Sequence, residues 1–172
     1  MKRKAMKGKE LRQALKARME TEFAQNPELE KGKRLTGILL LVWVVSRVFL
    51  QVTELICIRI GFLDPNPTNW VILGLLLLFA WAIYKGSGAL AWLPILGGVM
   101  MLSTAFRQKM FSLLEMDLYP EFRLYLIGFL AAAVLQILTM ALILALPSCR
   151  SYAKTSMTVM KELNGQQDVH GL

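Results

Sequence analysis

Histidine is almost missing from this chain: of 172 residues only His170, near the end, carries an imidazole. That scarcity excludes a histidine general base inside an apolar core, a histidine-led metal set and a Ser-His or Cys-His nucleophile pair. Cysteine is nearly as rare, with Cys57 and Cys149 alone. The order of spans read below places them near opposite faces of a membrane, beyond disulfide reach, so neither a disulfide framework nor a cysteine metal site is expected. The glycine-rich phosphate loop, the dinucleotide fingerprint and the paired zincin histidines are absent too. Glu115, Asp117 and Glu121 form an acidic group, but basic residues stand beside them and a solvated surface is the better reading than a cation site. No enzyme activity, no cofactor and no metal are expected.

What the chain has in excess is apolar residues, 55% of the total, with a mean hydropathy of +0.47. These values lie outside the usual range of soluble domains and predict an all-α integral membrane protein. Residues 35–62 form the first apolar run. As a helix it would be roughly 42 Å long at 1.5 Å per residue, against a hydrocarbon core of about 30 Å. A second, shorter run covers 69–85, with Trp70 at one end and Trp81 and Tyr84 at the other. The third, 89–106, contains Pro94 and the pair Gly97-Gly98, which predict a kink or a close helix contact. The fourth, 121–146, ends at Pro147. Together these spans, 35–147, predict a four-transmembrane-helix bundle.

Charge orients it. Residues 1–34 hold eleven Lys and Arg against five Glu, while the turn between the first two spans has neither Lys nor Arg. Basic residues near a span hold their side in the cytoplasm, and Arg150, Lys154 and Lys161 follow the last span. The expectation is a multi-pass protein of the plasma (inner) membrane with both termini cytoplasmic. The basic leader is too long for a signal peptide, so the first span should stay uncleaved. The segment from Arg107 to Tyr119 mixes charges with Met110, Phe111, Leu113, Leu114 and Leu118 and reads as an extracytoplasmic interfacial helix.

At the N-terminus Leu11, Leu15, Met19 and Phe23 recur every four residues among charges, predicting a basic amphipathic helix. Its cations, Lys2, Arg3, Lys4, Lys7, Lys9, Arg12, Lys16 and Arg18, suit anionic lipid headgroups or an acidic partner. Nucleic acid is disfavoured, because no aromatic platform accompanies them. Asn26-Pro27-Glu28 starts a new helix, which is expected to run unbroken through Gly32 and Gly37 into the first span. Residues 148–172 read as a short polar tail, frayed from Ser156 onward.

The first span is not purely apolar. Steps of three and four residues give Thr36, Leu40, Trp43, Arg47, Gln51, Glu54 and Ile58 on one face. An Arg at mid-helix costs about 2.5–3.5 kcal/mol on insertion scales, so that face must avoid lipid. Arg59, about 140° round the helix from Glu54, snorkels to headgroups instead. Three readings fit the stripe: internal pairing of Arg47 with Glu54 through Gln51 or with another helix, a contact with a partner or second copy, or a proton or solute path. Gln136 and Thr139 on the fourth span can supply a hydrogen bond to Arg47 or Glu54. The function expected is a non-catalytic accessory or assembly subunit of a membrane complex. The alternative is an oligomeric transporter or channel using Arg47 and Glu54.

Overall fold

The computed structural model describes residues 8–66, 68–108 and 119–168, and among these the chain forms helices and no strand. In order they are α1 (Gly8–Gln25), α2 (Pro27–Arg59), α3 (Thr68–Tyr84), a 3-10 turn (Gly88–Ala91), α4 (Trp92–Arg107), α5 (Pro120–Ala145) and α6 (Pro147–Asp168). Three stretches are long and apolar enough to cross a membrane: Pro27–Arg59, Gly88–Arg107 and Pro120–Ala145. A fourth apolar helix, Asn69–Tyr84, is shorter. Lys2, Arg3, Lys4, Lys7, His170 and most of the segment read as an interfacial helix lie outside the described residues.

α2 is the axis. Asn26 caps it, its side chain accepting from the Glu28 amide at 3.1 Å, and Pro27 occupies the first turn with Glu28 and Glu30. These residues satisfy exposed amides and suit the positive end of the helix dipole. The helix then runs 33 residues without a break at Gly32 or Gly37. Leu29, Thr36, Trp43, Leu50 and Cys57 are buried at every seventh position, with Gly32, Ser46 and Thr53 between. Such spacing keeps one seam turned toward the neighbouring helices. The opposite face shows Ile38, Val45, Phe49, Val52 and Ile56 to the surroundings, the inverted surface expected where the solvent is lipid.

α3 returns alongside α2. Asn69 at its start meets Glu54, and Tyr84 at its end lies against Gly37. Between Gly37 and Glu54 α2 advances about 26 Å at 1.5 Å per residue, so the shorter helix covers nearly the same depth. Gly86, with φ 107°, closes the turn that follows. Pro94 falls in the first turn of α4, just after the 3-10 turn. No kink in mid-helix results, because a proline there has no intrahelical bond to remove. The expected close contact does form: a Cβ on Gly98 would stand 2.7 Å from Ile137 Cγ1 and 3.1 Å from the Ala133 carbonyl of α5. The core common to these helices gathers Leu40, Trp43, Ala80, Ile83, Met140 and Ile143.

Within the described residues the polar tail is helical where fraying was expected. Residues 147–168 are helix, and Tyr152, Ser156 and Val159 are buried along one face with Leu163 half-buried. Their i, i+4, i+7, i+11 spacing is that of an amphipathic helix, concealed by a serine at one of the four places. Met19, Leu15 and Phe23 of α1 pack against Tyr152, Val159 and Leu163. From Leu15 to Phe23 the apolar stripe of the basic helix therefore packs on α6. Lys33 sits 5.1 Å from the centre of the Phe23 ring, tying α1 to α2 as well.

Candidate functional site

The stripe residues Thr36, Leu40, Trp43, Gln51 and Glu54 are buried, and Arg47 and Ile58 are half-buried. Around Arg47, Gln51 and Glu54 the helices leave a cavity of about 450 Å³, within the range of small-molecule sites. Its walls are mostly apolar and include Leu73 and Leu76 of α3, Met100 and Met101 of α4, and Tyr125 and Phe129 of α5.

Two polar nodes face this space. In the first, Gln136 Oε1 accepts from Arg47 Nε at 2.8 Å, from Arg47 Nη2 and from the Trp43 indole Nε1 at 3.0 Å. The same amide donates through Nε2 to the Pro94 carbonyl, with Gly97 close beside it. Gln136 thus joins α2, α4 and α5 with both ends of its amide in use. In the second, Glu54 accepts from Gln51 Nε2 at 3.2 Å and from Asn69 Nδ2. Seven residues separate the nodes along α2, or about 10 Å of rise.

Arg47 and Glu54 do not pair. Ion pairs among the described residues include Lys16 with Glu20, Arg18 with Glu22, Lys31 with Glu28 and Arg34 with Glu30, on the exposed surfaces of α1 and α2. Gln51 bonds only the carboxylate, and the guanidinium is held by a neutral amide. The partner of the guanidinium is thus a dipole, and none of the ion pairs above includes it. Counted from Gly37, it lies about 15 Å along a helix whose membrane depth is about 30 Å.

Of the residues predicted for the polar cluster, Arg47, Gln51, Glu54 and Gln136 line the cavity. Thr139 does not join them: its hydroxyl donates to the Leu135 carbonyl of its own helix at 2.7 Å. Trp43 shares the expected face but its hydrogen bond to Gln136 was not anticipated, nor were Asn69 and the Pro94 carbonyl. Asn69 stands beside Trp70 at the mouth of an apolar run, a place where a polar residue is ordinary, and only the return of α3 along α2 gives it a partner. Lys16 and Arg18 carry acids one turn away, at 3.8 Å each, and such exposed pairs contribute about 0.3–0.5 kcal/mol. Lys9 and Arg12 belong to α1. Among the described residues no three His, Cys, Asp or Glu side chains gather as a metal site would require.

No protein-family model matches the chain, and neither the curated proteins nor the solved structures include a significant match to it.

Proposed function

We propose that this is a non-catalytic multi-pass membrane protein whose half-open cavity at Arg47 binds a small ligand, as a membrane-embedded binding protein or carrier does. The carrying observation is a half-buried guanidinium at mid-helix, held by a neutral amide and turned into a 450 Å³ cavity of its own bundle. The face of α2 turned away from this cavity is Val45, Val48, Phe49 and Val52, which offer a partner no polar contact. Four crossings and cytoplasmic termini follow the charge bias and the depth that α3 shares with α2. In that frame Glu54 and Asn69 lie toward the extracytoplasmic face, and α1 and α6 stand together in the cytoplasm with the basic face of α1 near anionic headgroups.

An accessory subunit of a membrane complex is the second reading. It is favoured by a groove of about 440 Å³ on the outward flank of α2 and α5, lined by Val42, Phe49, Gly128 and Ala131 among others. Native mass spectrometry of the protein released from its own membrane separates the two. The binding reading expects a bound small molecule that Arg47→Ala loses, with the protein's assembly state unchanged. Loss of a partner protein or a second copy on Arg47→Ala overturns it in favour of the subunit.

A further inference from the structure

The geometry points to the class of ligand: a molecule with one carboxylate or phosphate group on an apolar body, its acid seated on Arg47. This rests on the cavity being a ligand site. Arg47 commits two of its N–H groups, on Nε and Nη2, to Gln136 Oε1. A guanidinium has five, arranged as a fork that matches an acid's two oxygens. Glu54 lies beyond Gln51 with its oxygens already engaged by Gln51 and Asn69. An anion is repelled from that end and attracted to the other, so the two nodes give it one orientation. A cation would find Glu54 but would lie in a cavity it shares with an unneutralised Arg47. The walls from Leu73 to Phe129 are hydrocarbon and aromatic, which suits an apolar body and excludes a fully hydrated anion.

Trp43 reports on the site. It is fully buried, and its Nε1 shares the Gln136 oxygen with Arg47. The other tryptophans, Trp70, Trp81 and Trp92, are exposed on the outer surface, so replacing each with Phe leaves one indole beside the cavity. This variant, in phosphatidylcholine nanodiscs, is titrated with chain-brominated dodecanoate, and the brominated alcohol of the same chain serves as neutral control. Saturable quenching of Trp43 by the acid is expected, with the alcohol weaker by about tenfold or more, the usual weight of a charge-assisted hydrogen bond. Arg47→Gln should bring the acid down to the alcohol, and Arg47→Lys should recover part of the difference.

Equal binding of acid and alcohol overturns the anion assignment and leaves the cavity reading intact. Lack of saturable quenching by either probe overturns both. Where Arg47→Gln fails to fold, the comparison of acid with alcohol on the unsubstituted site decides alone. Benzoate as competitor separates the sources: displacement of the brominated acid by benzoate supports an organic acid entering from water, and displacement by unlabelled dodecanoate alone supports a lipid-derived acid.

Discussion

Gly32 stands where α2 crosses α6, and a Cβ there would run into the backbone carbonyl of Ser148. The Cys149 thiol, 3.8 Å from the Gly32 carbonyl, closes the same crossing. A glycine inside a helix normally costs about 0.5–1 kcal/mol relative to alanine, so Gly→Ala should stabilise wherever space allows. At Gly32 the obstacle is backbone, which cannot rotate away. Gly32→Ala is expected to lose about 1–3 kcal/mol, the range of overpacked interiors. Gly74→Ala, in open space on α3, should be neutral or gain up to about 1 kcal/mol. Thermal melts followed by circular dichroism check the pair, and a Gly32→Ala protein melting as high as the Gly74→Ala one would refute the crossing. Which glycine is which cannot be read from sequence, because both lie in helical runs and only the path of a second helix distinguishes them. Arg47, Gln51 and Glu54 differ in this respect. Their shared face follows from helix periodicity alone, and their inward direction from the cost of charge in lipid. Their partners do not follow, since Gln136 and Asn69 are reached across helices.

Among the elements, α6 ties α1, α2 and the end of α3 together. Tyr152 donates its hydroxyl to the Tyr84 carbonyl at 2.6 Å and Ser156 donates to the Lys85 carbonyl at 2.7 Å, so α6 holds the end of α3 and its turn. Phe23 of α1 stacks on the Tyr152 ring from the other side at 6.5 Å. Burial, and then the Tyr84 hydroxyl, push the Tyr152 phenol up from 10 to about 12. The fold therefore favours the neutral form. Its contribution is complete below pH 10 and is lost as pH rises toward 12. Tyr152→Phe should lower stability at neutral pH by about 1 kcal/mol through the lost hydrogen bond, and flatten the alkaline decline. Chemical unfolding measured at pH 8 and again across the alkaline range tests both. An unchanged alkaline decline would assign it to other groups. The stripe of α1 was visible in the sequence. Its partner was hidden because Ser156 interrupts the apolar pattern of α6 and the surrounding residues are polar.

For the whole molecule the crossing number decides how the cavity is reached. α2, the Gly88–Arg107 unit and α5 have the length to span, and α3 runs beside α2 from the level of Glu54 to that of Gly37. If α3 crosses with them, Asp64 lies on one face of the membrane and Ser151, just past Pro147, on the other. If it does not, the turn after α3 remains on the face of Asp64, and α4 and α5 bring Ser151 back to that face. Both side chains are exposed, and the native thiols Cys57 and Cys149 are buried, so a cysteine placed at either position is the reactive one. Asp64→Cys and Ser151→Cys are therefore labelled with a membrane-impermeant maleimide in intact cells and in inverted vesicles. Four crossings predict labelling of Asp64→Cys only in cells and of Ser151→Cys only in inverted vesicles. Labelling of both from one side would mean three crossings. In that arrangement the α1–α6 pairing, which needs the two terminal helices on the same face, could not form in the membrane, so the experiment tests topology and the packing of the terminal helices together.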